Sequence, residues 1–191
     1  MPGPAQRPGR GAGLLAGALL GAALWFTPKA AFPAAGMLLA AAWRRAEEDG
    51  APAAGIFLGR AAAGAGLVAA VGLAYFAARG GLGGLWSYYF LYNMGFPGAR
   101  VSWSATLSPS LLSDPLMWAA GLWGLRRWRE RPEEAGAVAA SLAGLAVTPS
   151  AYSQHLLFVA PFLAGFAARE AILWSASRRR GLIAAACLGL S

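Results

Sequence analysis

The sequence predicts an all-α membrane protein, a polytopic transmembrane helical bundle of about six spans plus a truncated seventh, and three observations carry that reading. Hydrophobic residues make up 58% of the 191 and charged residues only 13%, a balance outside that of soluble domains. The apolar residues come in blocks separated by short arginine clusters, without the polar face that a soluble amphipathic helix keeps. Runs such as GLLAGALLGAAL lack the period-two alternation of a membrane β-strand, which argues against a barrel and for helices.

The first apolar run, residues 11–26, follows Arg7 and Arg10 and precedes TPKAAFPAAG. A charged start, a short apolar core and small residues downstream also describe a secretory signal peptide. A second run, 30–43, follows almost at once and favours a helical hairpin turning at Thr27, Pro28 and Lys29. Run three covers 53–78, with Arg60 near its start. An aromatic, weakly charged stretch, 79–110, then reads as an outward loop. Run four, 111–125, leads into RRWRERPEE, and runs five (135–147) and six (156–168) flank TPSAYSQH. A seventh run, 181–191, has too few residues to cross about 30 Å of hydrocarbon at 1.5 Å per residue, so the chain is expected to stop inside a helix. The whole, 1–191, reads as one transmembrane domain, itself a fragment.

Charge sets the expected orientation. With the amino terminus inside and six crossings, the cytoplasmic ends hold Arg7, Arg10, Arg44, Arg45, the four arginines between 126 and 131, Arg169 and the run Arg178 to Arg180. The other side holds only Lys29, Arg79 and Arg100. This is the positive-inside pattern of an integral membrane protein, and a bacterial plasma membrane is its expected location. The same placement argues against nucleic acid despite a net charge of +8, because the basic residues cap apolar runs and no nucleic-acid-reading motif accompanies them. Membrane lipid is the expected partner. Cys187 is the only cysteine, so neither an internal disulfide nor a cysteine metal cluster can form, and no motif calls for a cofactor or a metal.

Some motifs carry chemistry and some do not. Gly13, Gly17 and Gly21 have the four-residue spacing that lets membrane helices approach closely, but with 26 glycines such spacing arises by chance. GGLGGL lacks the strand and helix of a phosphate-binding loop and reads as a flexible exit from the membrane. Asp114, in SDP, reads as a helix cap. Lys29 between two apolar runs either snorkels or meets an anion. The aromatics of residues 86–103 suit an interfacial belt. They equally suit a surface where Tyr89 and Tyr92 stack on sugar, Asn93 bonds hydroxyls and Arg100 holds a phosphate. Tyr152, Gln154 and the lone His155 gather at the mouth of run six, either as interfacial polar residues or as the rim of a binding cavity.

In order along the chain, GLLAGALLGAALWFTPKAAFPAAGMLLAAAW, GLWSYYFLYNMGFPGA and TPSAYSQHLLFVAPFLAGFAA resemble the central and carboxy-terminal membrane region of GT-C glycosyltransferases. The relatives in kind are protein O-mannosyltransferases and the aminoarabinose transferase of lipid A. The resemblance implies transfer of a sugar from a polyprenyl-phosphate donor on the outer membrane face. It implies that Lys29, Tyr89, Tyr92, Asn93, Arg100, Tyr152, Gln154 and His155 line the donor site. The family's catalytic aspartate follows its first transmembrane helix, and the Lys29 turn holds no acid, so the catalytic amino-terminal part is expected to lie elsewhere. A non-enzymatic membrane subunit or a transporter fragment is the alternative. Transport would require polar residues inside the spans, which hold almost none but Arg60.

Overall fold

The computed structural model describes residues 11–91, 103–147, 156 and 158–176. Every regular element among them is helical. The chain divides into two compact units, one of Met1–Ala31 with Ala41–Pro97 and one of Phe32–Ala40 with Gly98–Ser191.

The first unit is built on α1 (Ala12–Phe26) and α3 (Ala51–Ala78), joined through α2 (Ala31–Asp49). Gly13 lies against Phe57 and Arg60, Gly17 against Ala61, Gly21 against Ala65 and Val68, and Trp25 against Gly72. Contacts that ascend together in both helices mean that α1 and α3 run parallel. All three α1 glycines are buried, and a Cβ on Gly17 would run into the Ala61 carbonyl. On α3, Gly64 receives the Leu14 carbonyl in the same way. The glycine spacing that composition alone makes unremarkable is therefore the packing seam. Large apolar side chains of both helices point away from it: Leu15, Leu19, Leu67 and Val71 are all exposed. Small residues inward and large apolar residues outward is the reverse of a water-soluble core, and it suits a surround as apolar as leucine itself.

Glycine at two positions shapes the ends of α3. Gly50, at φ +88°, turns the chain from α2 into α3, whose first turn carries Pro52. Gly80, at φ +65°, closes α3. Its N–H donates to the Ala77 carbonyl (3.0 Å), and the Gly81 N–H donates to the Phe76 carbonyl (2.8 Å), the paired bonds of a Schellman cap. Among the described residues, α3 is the helix long and apolar enough to cross a membrane, with 28 residues, or about 42 Å at 1.5 Å each.

The second unit contains α4 (Trp103–Ser113), α5 (Pro115–Gly124), a 3-10 segment (Leu125–Glu130), α6 (Pro132–Val147) and α7 (Ala160–Ser175). Gly121 packs on Leu163 and Gly124 on Phe166, so α5 and α7 are also parallel. Trp118, Val138, Leu145, Leu156, Val159 and Leu163 form the core, with Phe166 fully buried beside it. The first half of α2 crosses α6 antiparallel: Gly36 and Gly136 meet backbone to backbone, and the Phe32 ring covers Gly144. Pro132 opens α6, and Glu133 and Glu134 in its first turn complement the helix dipole.

The structure differs from the sequence reading in four places. The stretch 79–110, read as a loop, is helical at both ends: Leu82–Gly84 runs into a wide π-turn, Leu85–Leu91, and α4 begins at Trp103. GGLGGL is not a flexible exit, since its first glycines cap α3. Run four is broken at Asp114, which occupies the cap position of α5 but makes no side-chain capping bond; Pro115 enforces the break. Run six continues past residue 168, through Arg169 and Glu170, to Ser175. The seventh run lies outside the described residues.

Candidate functional site

Two of the residues singled out by sequence, Lys29 and Tyr89, lie in the first unit. Thr27 ends α1 in extended conformation, its N–H still donating to the Ala23 carbonyl at 3.1 Å. Pro28 then fixes the short 3-10 turn Pro28–Ala30, which presents Lys29 at the carboxy-terminal end of α1. Because α1 and α3 run parallel, the end of α3 arrives at the same place. Trp25 stacks on Phe76 at 5.8 Å between ring centres, with the rings 16° from coplanar. Tyr75 meets Phe76 edge to face at 5.6 Å, and the Arg79 guanidinium lies 5.7 Å from the Tyr75 ring centre. The Schellman turn carries the chain back so that Tyr89, on the π-turn, reaches Trp25 at 6.0 Å.

The electrostatics follow from burial. Lys29 is half-buried, and desolvation pushes its amine below the usual lysine value. Burial raises the Tyr89 phenol in the same way. A cation whose charged form is disfavoured at an apolar helix end gains most from an anion that neutralises it. Lys29 is the only lysine of the chain, which makes it selectively addressable by amine chemistry.

Tyr92, Asn93, Arg100, Tyr152, Gln154 and His155 lie outside the described residues. Sequence reasoning missed Trp25 and Phe76. Their signal was an aromatic pair closing each of two apolar runs, Trp25-Phe26 and Tyr75-Phe76.

The second unit carries a charge network that the sequence reading counted only as topology. Glu170 on α7 is 1% exposed. It accepts from Arg126 Nη2 and from Arg127 Nε, both at 3.0 Å. Arg127 Nη1 donates to Glu130 at 3.2 Å, Arg169 also pairs with Glu130, and Arg131 pairs with Glu134 at 2.9 Å. The hydrogen bond to Glu130, with the charge of Glu170 added, raises the Arg127 guanidinium further above its usual value, against an opposing desolvation. Among the described residues no group of three or more His, Cys, Asp or Glu is placed to hold a metal ion.

Fold and site together define a class: an all-helical chain with a helix long and apolar enough to cross a membrane and an aromatic, cationic end beside it. No family model, no curated protein and no solved structure matches the chain.

Proposed function

We propose that this chain is the polytopic membrane part of a GT-C-type glycosyltransferase of a bacterial plasma membrane, with its amino terminus cytoplasmic. In this reading the shared end of α1 and α3 faces outward and holds the phosphate of a polyprenyl-phosphate-linked sugar. One observation supports this above the others: Lys29, whose amine burial holds below its usual value, sits at the same helix end as the Trp25, Phe76 and Tyr89 rings. The alternation of helix direction within each unit agrees with successive crossings, although α1, α6 and α7, at 15 to 16 residues, must tilt little or thin the bilayer. The Lys29 turn holds no acid, so the part assigned to this chain is donor binding rather than bond cleavage.

The test uses the full chain in nanodiscs with a polyprenyl phosphate. The lipid should protect Lys29 from an amine-reactive reagent, with peptide mapping separating Lys29 from the terminal amine. Lys29→Ala should weaken binding by about 1–3 kcal/mol, the range of a charge-assisted hydrogen bond, with no loss of helix content. Equal labelling with and without the lipid, together with unchanged affinity of Lys29→Ala, would remove the donor-site reading.

A further inference from the structure

Residues 123–131, spanning the turn between α5 and α6, hold four arginines and two tryptophans, and the acids that meet these arginines are already engaged. Glu170 is taken by Arg126 and Arg127, Glu130 by Arg127 and Arg169, and Glu134 by Arg131. Arg129 is different. Among the described residues, the contact of its guanidinium is with the Trp128 ring, 5.3 Å from the ring centre. A second pair of the same kind stands beside it, Arg126 lying 4.4 Å from the centre of the Trp123 ring. Both indoles are exposed, Trp123 at 57% and Trp128 at 39%.

From these pairs we infer that this end of the second unit is a docking surface for the headgroups of anionic phospholipids, with Arg129 the phosphate contact and Trp128 its interfacial anchor. The chemistry selects a lipid surface over other anionic partners. A guanidinium over an indole keeps its outer N–H donors free for phosphate oxygens while the ring lies at the depth where indoles partition. The helix that leads into the patch, α5, leaves Leu116, Leu122 and Trp123 exposed, which suits acyl chains beneath the headgroups. A nucleic acid or acidic peptide would leave that face in water. The carboxylate network behind the patch holds it in place: Glu170, buried, ties the segment to α7, so Arg129 is presented on a fixed base.

The inference rests on the membrane reading above but not on the donor site at Lys29. Its test is the lipid selectivity of the full chain in nanodiscs that mix phosphatidylglycerol with phosphatidylcholine, with retained lipid counted by native mass spectrometry. The wild type should enrich phosphatidylglycerol. Arg129→Gln should lower that enrichment about fivefold, the effect of one basic residue at an anionic surface, and Arg129→Lys should keep most of it. Because Arg129 is exposed, helix content and insertion into pure phosphatidylcholine should not change in either variant. Enrichment unaltered by Arg129→Gln overturns the proposal. So does inorganic phosphate that competes as well as the lipid, since a free anion would then be the ligand. Failure of the wild type to enter any nanodisc overturns the membrane reading as well, whereas insertion without selectivity overturns this surface alone.

Discussion

Gly17 and Glu170 are the residues on which packing depends most, for opposite reasons. Gly17 matters because nothing larger fits. With the Ala61 carbonyl where its Cβ would lie, Gly17→Val must push α1 from α3. The expected loss is about 1–3 kcal/mol, the range for overpacking, read as thermal stability in detergent. Gly66→Ala, where a Cβ meets open space, should cost nothing and serves as the control. Glu170 matters because two guanidinium groups converge on it. Breaking a fully buried pair costs about 3–5 kcal/mol, but Arg126 and Arg127 are 40% and 38% exposed and water can take over their solvation. Glu170→Ala should therefore fall nearer 1–3 kcal/mol, roughly the cost of a lost charge-assisted bond. For Lys29 the sign follows from its lowered pKa. Anion binding needs the protonated amine, so donor affinity should be full below that pKa and fall as pH rises through it, before the free-lysine value of 10.5 is reached. An affinity that stays flat up to 10.5 would show that Lys29 does not touch the phosphate.

At the scale of elements, the end of α3 decides whether Tyr89 reaches Trp25. The Schellman cap reverses the chain through Gly80 in the left-handed region, where a side chain costs roughly 1–2 kcal/mol. Gly80→Ala should loosen the cap and release the π-turn Leu85–Leu91. Hydrogen exchange should quicken at the Gly80 and Gly81 amides and through residues 85–91, while the middle of α3 stays protected. Uniform protection in the variant would mean that the helical turn after α3 is held by other contacts than the cap. The parallel pairs α1–α3 and α5–α7 share one device, glycine on one helix against backbone or Cβ of the other. In hydrocarbon the transfer of apolar surface contributes little, so close contact between backbones supplies the attraction. That is why glycine rather than leucine marks both seams.

For the whole molecule, the proposed orientation makes a direct demand on accessibility. In a Cys187→Ala background, an impermeant thiol reagent should label Ser87→Cys on intact cells and Glu48→Cys only after the membrane is opened; both side chains are exposed. The reverse pattern would invert the proposed topology, and labelling of both on intact cells would exclude a crossing between them.

Hydropathy, arginine placement and proline positions were enough to read an all-helical chain and to place most helix starts near their true positions, because these signals are local and depend on a residue and its near neighbours. The Thr27 to Lys29 turn was legible for the same reason, proline there leaving the chain few conformations. Which glycines matter was not. The stripe of Gly13, Gly17 and Gly21 looks like any other glycine spacing until α3 is laid against it, since close approach is a property of two helices and not of one. The burial of Glu170 and the meeting of Trp25 with Tyr89 each join groups distant in sequence, and only the tertiary structure brings them within reach. Local propensity is written along a chain, and the arginine and indole pairs around Arg129 are local in that sense, whereas the aromatic cluster beside Lys29 exists only once α1 and α3 share an end.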